Sequence, residues 1–415
     1  MPPISIDATT LQREIDELAA ISEQPAPVVT RILFSEADLR ARSFVKSLCR
    51  EAGLTLREDA VGNIFARWPG ANPALPPVAT GSHIDAIPNA GRYDGVVGVL
   101  GAIEALRALR RAGLAPARSI ELILFTAEEP TRFGIGCLGS RLLSGVLAPD
   151  KAAALRDRDG VSLDDWRRRA GFASQPLNSV RLATGSYSTF VELHIEQGPL
   201  LERAGIPIGV VEKIAAPATL RLELTGEGGH AGAVLMPERR DALLAGAEIA
   251  LAVERAAKST GSPDTVATTG VFRIEPGAVN SVPCRAHLEI DVRDTQTATR
   301  DRALHEIEMA VHEICRHRGI ADQLETLHCD PPALCDPRLV ETVTAVCAGL
   351  QLPVQRMISR AYHDSLFMAQ LCPTTMIFIP CRAGASHRPD EYSSPEQIRD
   401  GVRVLAGTLA KLASE

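Results

Sequence analysis

The sequence predicts an α/β protein in two parts: a discontinuous domain, whose mixed sheet is flanked by helices, and an inserted α+β domain. Three observations predict this architecture. Helical and strand patterns alternate over most of the 415 residues. Short apolar runs typical of buried strands occur in the first and last thirds of the chain. Between them lie segments that alternate polar and apolar residues, as in a sheet with one open face.

The first part of the chain predicts helices and buried strands in turn. One run with helical periodicity ends at Gly53, a usual helix stop. A second helical run contains Gly98 and Gly101, which are small enough for close packing. Two short apolar runs are typical of buried strands. The predicted helices are 36–53 and 95–109, and the predicted strands are 77–81 and 119–126.

The pattern changes near residue 214, and buried-strand character returns after residue 331. The strands between these points alternate in polarity and predict a small unit with an open four-stranded sheet. The predicted elements are strands at 219–225 and 286–292, helices at 240–258 and 298–317, and a later buried strand at 375–380. We therefore assign residues 1–213 and 331–415 to the discontinuous domain, in which the candidate catalytic residues described below lie, and residues 214–330 to the inserted domain.

Charge and composition exclude several classes of protein. The 51 acidic and 44 basic residues give a formal net charge of −7 without a basic run, so no nucleic-acid partner is expected. No apolar run approaches the about 18 residues of a membrane span, and the N-terminus lacks the basic and apolar regions of a secretory signal. The nine cysteines are dispersed singly, which favours free thiols. We expect a cytoplasmic enzyme without a membrane partner.

Four short segments place histidine and carboxylate side chains at or near the ends of predicted strands. These ligand types suit zinc, manganese and related divalent ions, and open α/β sheets hold their sites in such loops. Taken singly, each residue has an ordinary alternative: a core histidine, a turn aspartate or a solvated glutamate pair. Their joint occurrence favours a metal site. The candidates are His83, Asp85 and Asp94; Glu128 and Glu129; Glu192, His194 and Gln197; and His387 and Glu391.

Six motifs occur in order between residues 81 and 391: GSHID, YDG, AEE, ELHIEQGP, HAG followed by M and RRDA, and GASHRPDE. Together they resemble the amidase/carbamoylase branch of the M20 metallopeptidase superfamily. That resemblance implies two divalent metal ions, with manganese expected and zinc, cobalt or nickel compatible with the same ligands. The implied ligands are His83 and His194 for one ion, Glu129 and His387 for the other, and Asp94 as the bridge.

The same resemblance implies further roles. Glu128 would be the general base, and Asp85 would orient His83. The inserted domain is a dimerisation and lid domain in this family, so we expect a homodimer in which His230 serves the active site of the other subunit. Judged by its pattern alone, Arg293 is a surface strand residue, and only the resemblance gives it a substrate carboxylate to bind. Substrate contacts are implied for Gln197, Asn280, Arg293 and His363.

Two departures from the family pattern bear on the substrate. The chain has HAGAVLM at 230–236 where many relatives have HAGTTPM, and RAYHD at 360–364 where many have GAGHD. Tyr362 replaces a glycine, which would shorten the pocket and favour a small polar substrate. We expect hydrolysis of the ureido C–N bond of ureidoglycolate, which releases ammonia, carbon dioxide and glyoxylate. The alternatives are an N-carbamoyl-L-amino-acid or allantoate amidohydrolase and, more remotely, a non-catalytic binding module.

Overall fold

The computed structural model describes residues 4–414. Its strands are β1 (Val29–Arg31), β2 (Thr55–Glu58), β3 (Ile64–Trp68), β4 (Val78–Ser82), β5 (Ala86–Ala90), β6 (Ile120–Leu124), β7 (Thr189–Ile195), β8 (Ile208–Ile214), β9 (Ala216–Thr225), β10 (Gly229–His230), β11 (Val266–Glu275), β12 (Ser281–Val282), β13 (Arg285–Asp294), β14 (Ala321–Cys329), β15 (Ala333–Leu334), β16 (Val354–Ser359) and β17 (Thr374–Ile379). Its α-helices are α1 (Ala8–Ala19), α2 (Glu36–Glu51), α3 (Val96–Arg111), α4 (Leu138–Ser144), α5 (Pro149–Ala154), α6 (Leu163–Arg169), α7 (Leu200–Ala204), α8 (Ala242–Ser259), α9 (Thr297–Arg318), α10 (Pro337–Gly349), α11 (Asp364–Met368) and α12 (Pro395–Ala413). Within residues 4–414, no helix combines the length and apolar character needed to cross a bilayer.

The described residues form two compact units. Unit 1 comprises the chain up to Glu212, Leu334–Ser359 and the residues from His363 onward. Unit 2 comprises Lys213–Ala333 and Arg360–Tyr362. The unit bounds at 212 and 333 lie one and three residues from the predicted domain bounds at 213 and 330, and the domain assignment stays a prediction. No local sequence pattern indicates that Arg360–Tyr362 group with unit 2.

A nine-stranded mixed sheet forms the centre of unit 1. Its strand order is β15-β8-β17-β7-β4-β6-β3-β2, and β16 also pairs with β8. The four central strands β17, β7, β4 and β6 run parallel. Strands β8 and β3 flank them in the antiparallel sense. The carboxyl ends of the four parallel strands therefore lie at one edge of the sheet.

Helices α3 and α12 pack closely in unit 1. Gly98 permits the close approach of α3 to strand β7, because a Cβ at this position would lie 2.4 Å from the carbonyl oxygen of Leu193. Helix α12 begins with a capping box, in which the Ser394 hydroxyl accepts the N–H of Gln397 and the Gln397 side chain accepts the N–H of Ser394. Pro395 takes the first helical position, where a missing N–H costs nothing.

Unit 2 contains an antiparallel four-stranded sheet in the order β11-β13-β9-β14. Every second residue of β13, from Ala286 to Val292, is buried in a cluster with helices α8 and α9. The opposite face is polar, and Arg221 pairs there with Glu289. The predicted α/β class, mixed sheet and open four-stranded sheet are thus confirmed.

Candidate metal centre

The four segments that carry histidine and carboxylate side chains meet at the carboxyl edge of the parallel strands. Strand β4 leads into His83, β6 into Glu128 and Glu129, and β17 into His387, while His194 lies near the end of β7. These four strands are neighbours in the order β17-β7-β4-β6. The topology of the sheet therefore gathers side chains that are far apart in the sequence.

Two groups of possible metal ligands share the carboxylate of Asp94. Within each group the ligand atoms lie within 4.8 Å of one another. Oδ1 of Asp94 is 3.5 Å from Nε2 of His83 and 3.2 Å from Nε2 of His194. Oδ2 is 3.4 Å from Nε2 of His387, and that nitrogen is 3.1 Å from Oε1 of Glu129. The two oxygens of one carboxylate thus face two separate groups.

Main-chain carbonyls orient the two buried imidazoles. Nδ1 of His83 is 3.1 Å from the carbonyl oxygen of Asp85, and Nδ1 of His194 is 2.9 Å from that of Ile195. Each Nδ1–H therefore donates, and each Nε2 lies on the side of Asp94, where Nε2 of His194 also accepts the N–H of Gly95 at 3.1 Å. Within the described residues, the buried Nε2 of His83 has no hydrogen-bond partner. A buried nitrogen of this kind needs a partner, so the donor set fits a divalent cation.

The Asp85 carboxylate holds the backbone of the glutamate pair. Its Oδ1 accepts the N–H of Glu128 at 3.3 Å, and its Oδ2 accepts that of Glu129 at 3.0 Å. The carboxylate is 3.7 Å from Nδ1 of His83, so the nearer main-chain carbonyl orients the ring. The family resemblance implies that Asp85 orients His83, and the group of Asp85 nearest to Nδ1 of that ring is its main-chain carbonyl, beyond the end of β4 at Ser82. Burial raises the pKa of Asp85 to about 6.

Glu128 lies beside the ligand groups and belongs to neither. Its Oε2 is 3.7 Å from Nε2 of His83. Burial raises the pKa of Glu128 well above its ordinary value; His83 opposes this shift and the carboxylate of Glu129 adds to it. A buried carboxylate with a raised pKa can take and return a proton near neutral pH.

Contacts between imidazoles and carboxylates set the charges of the site. Burial alone would raise the pKa of Asp94, but the neighbouring imidazoles of His194 and His83 hold it well below its usual range. Burial alone would lower the pKa of His387, but Glu129 and Asp94 raise it to about 9. The carboxylates therefore attract positive charge to this position, which is the electrostatic requirement of a cation site.

A hydrogen-bond network around Asp94 includes Glu391 and Ser386, to which the sequence analysis assigned no specific contact. Oε1 of the buried Glu391 accepts the N–H of Tyr93 at 2.7 Å and of Asp94 at 3.0 Å, and its Oε2 lies 3.1 Å from the hydroxyl oxygen of Ser386. Ser386 and the amide of Gln197 also donate to Oδ2 of Asp94, at 2.6 Å and 2.7 Å. Glu391 belongs to the GASHRPDE motif, which marks it as a site residue. The motif does not show that its carboxylate contacts the main chain.

A third group of ligand types, Glu192, His194 and His363, is wholly buried. The oxygens of Glu192 already accept the hydroxyls of Ser82 at 2.8 Å and Ser365 at 2.6 Å. The rings of His194 and His363 pack edge to face, with centroids 4.4 Å apart. Glu192 is thus satisfied by hydrogen bonds, and His363 is placed against a ligand of the first group.

Four other predicted site residues lie in unit 2. His230 and Asn280 line a cavity of about 560 Å³ beside the short β10–β12 pair. Nε of Arg293 donates to Oδ1 of Asp291 at 2.6 Å, and its guanidinium lies 5.1 Å from the centroid of the Tyr362 ring. A substrate carboxylate at Arg293 would therefore share the guanidinium with an acidic residue of the same strand.

Residues 79–411 match the sequence model of a family described as Peptidase family M20/M25/M40. The chain belongs to this family. It is 54% identical to a ureidoglycolate hydrolase of Arabidopsis thaliana, over 99% of this chain and 87% of that protein. It is 36% identical to an N-carbamoyl-L-amino acid amidohydrolase of Geobacillus stearothermophilus, over 98% of this chain and 99% of that protein.

Solved structures agree with this membership. Crystal structures of AtUAH in complex with glyoxylate and with (S)-hydroxyglycine match this chain with a TM-score of 0.95, at 54% and 53% identity, and cover 99% of both chains. The family resemblance predicted from the six motifs is confirmed. The M20 family is metal-dependent, and this member has ligand groups able to hold metal ions.

Proposed function

We propose that this enzyme is an amidohydrolase that cleaves the ureido C–N bond of ureidoglycolate and so releases ammonia, carbon dioxide and glyoxylate in purine-ureide breakdown. The observation that carries the proposal is the carboxylate of Asp94, which faces two ligand groups beside the buried Glu128. The substrate is supported by the Arabidopsis relative and by the two AtUAH complexes. (S)-Hydroxyglycine is ureidoglycolate without its carbamoyl group, and its loss of ammonia gives glyoxylate.

The proposed cofactor is a pair of divalent ions, with manganese preferred. His83 and His194 would hold one ion, and Glu129 and His387 would hold the other. Asp94 would be a ligand of both ions. When bound, such ions lower the pKa of a water molecule and polarise the attacked carbonyl group. Zinc, cobalt and nickel accept the same ligand types, so reloading the stripped enzyme with each ion separately identifies the best one.

The chain's own residues handle the proton and the substrate. Glu128 takes a proton from the attacking water and returns it to the leaving nitrogen, and its raised pKa suits both steps. His230 donates a hydrogen bond to the developing oxyanion. Arg293 binds the substrate carboxylate through its planar guanidinium. The other proposed substrate contacts are Gln197, Asn280, Tyr362 and His363.

We further propose a cytoplasmic homodimer in which each active site uses His230 of the partner subunit. Inactive His230→Ala and Glu128→Gln variants should then regain activity when their subunits exchange. Random exchange of equal amounts makes half of the dimers mixed and restores one of two sites in each, so about a quarter of the parent activity should return. Verified mixed dimers without recovered activity would contradict the shared site.

The experiment that tests the function measures ammonia release by enzyme stripped of metal and reloaded with Mn²⁺. Ureidoglycolate, allantoate and N-carbamoyl amino acids are offered side by side. Preference for ureidoglycolate supports the proposal. Preference for an N-carbamoyl amino acid would favour the activity named for the Geobacillus relative. Metal binding without hydrolysis of any of the three would contradict the proposed activity and favour a binding module.

A further inference from the structure

The buried thiol of Cys137 lies against the carboxylate of Glu128. Its Sγ is 3.6 Å from Oε1 of Glu128, whereas Oε2 is 3.7 Å from Nε2 of His83. The two oxygens of the proposed base therefore have different neighbours. Burial raises the pKa of the Cys137 thiol well above its ordinary value, so the thiol keeps its proton and is the donor in this contact.

The main chain fixes the thiol and the carboxylate relative to each other. The N–H of Cys137 donates to the carbonyl of Glu128, and the N–H of Leu138 donates to that of Ala127, both at 2.8 Å. Ala127 and Cys137 have φ values of +53° and +55°, which are uncommon for residues with a side chain. Such conformations persist where the surrounding structure enforces them, and they concentrate at functional sites.

We propose that Cys137 is a positioning residue for Glu128: its thiol donates to Oε1 and leaves Oε2 as the oxygen that takes the proton from the attacking water. The inference rests on the proposed function of Glu128 as general base. A carboxylate held at one oxygen cannot rotate freely, so the lone pair of the other oxygen keeps its direction toward the reacting water. Alignment of this kind affects the chemical step more than substrate binding.

Replacement of the thiol tests this role. Cys137→Ala removes the donor, and we expect kcat for ureidoglycolate to fall about 10-fold, or about 1.4 kcal/mol, while KM changes less than about twofold. Cys137→Ser keeps a donor and should recover most of the lost kcat. Cys372→Ala is the matched control, because it removes another buried thiol of unit 1, which donates to the carbonyl of Met368, and it should leave kcat unchanged.

A second background separates this inference from the proposed function. In Glu128→Gln, the further change Cys137→Ala should have no effect on the residual rate, because there is no base left to position. Parent-like kcat in Cys137→Ala, together with an inactive Glu128→Gln, would overturn the role of Cys137 and leave the function intact. Parent-like kcat in Glu128→Gln would instead overturn the proposed general base.

The serine variant keeps the inference testable if Cys137→Ala does not fold. A folded, metal-loaded Cys137→Ser enzyme with kcat within about threefold of the parent supports a donor role. A loss of more than about 10-fold, with parent-like thermal midpoint and metal content, would overturn it. Equal losses of kcat in the serine and alanine variants, when both fold equally well, would also overturn the donor role.

Discussion

Replacing Glu391 with alanine should loosen the segment that carries Asp94. Glu391 is 4% exposed, its carboxylate accepts the N–H groups of Tyr93 and Asp94, and its Oε2 lies 3.1 Å from the hydroxyl oxygen of Ser386. Alanine leaves two main-chain donors buried without an acceptor, at about 1–3 kcal/mol each. We expect the free energy of unfolding of the metal-free protein to fall by about 2–6 kcal/mol. Because Asp94 belongs to both ligand groups, Mn²⁺ affinity should fall about 10–100-fold.

Glu391→Gln is the matched control. Both main-chain donors point to Oε1, which glutamine keeps as its amide oxygen. The amide nitrogen then donates to Ser386, whose hydroxyl hydrogen stays with Asp94. Unfolding free energy should remain within about 1 kcal/mol of the parent, measured by urea denaturation alongside calorimetric titration with Mn²⁺. Parent-like Mn²⁺ affinity in Glu391→Ala, or an equal loss in Glu391→Gln, would refute the reasoning.

Three further substitutions test the proposed roles. Glu128→Gln should keep the metal content but lower kcat about 10²–10⁴-fold; near-normal turnover would remove Glu128 from the role of base. Arg293→Lys should raise KM for ureidoglycolate, because an ammonium group lacks the planar fork that matches a carboxylate, and an unchanged KM would count against that contact. Tyr362→Gly should raise the ratio of allantoate to ureidoglycolate turnover by enlarging the pocket, and a constant ratio would exclude Tyr362 from substrate selection.

Elements that depend on local sequence were predictable to within a few residues. The helix predicted at 298–317 spans Thr297–Arg318, and the strand predicted at 375–380 spans Thr374–Ile379. Helix α9 is followed directly by Gly319, which has a positive φ of 65°. A glycine that stops a helix in this way can be recognised in the sequence itself. The order of the parallel strands was not predictable in this way, because their paired residues lie between 42 and 184 residues apart, as for Val78 with Ile120 and Thr374 with Phe190, and no local pattern specifies the pairing.

The residues of the site also divide into features that the sequence predicts and features that only the fold shows. Possible ligands could be found because imidazole and carboxylate groups reveal their chemistry by residue type, as with His83 and Asp94. Asp85 and Glu391 were candidates by residue type as well, but their supporting contacts could not be predicted, because both accept main-chain N–H groups. Nearly every residue offers such a donor, so the sequence cannot show which ones a carboxylate will meet. The contact between Cys137 and Glu128 likewise depends on the positive φ of Cys137, which the residue type does not indicate.

A carboxylate shared by two ligand groups is best held by its main chain, because its own oxygens are then available to both groups. Glu391 does this by accepting the N–H of Asp94. Gly95 makes the position possible: its φ is +65°, and a Cβ there would lie 2.5 Å from the ring of His83. Gln197 contacts Oδ2 of Asp94, while Oδ1 faces His83 on the other side. The main chain of Asp94 is thus held by a backbone contact and a glycine, while the side chains of Ser386 and Gln197 donate to Oδ2 alone and leave Oδ1 to the first ligand group.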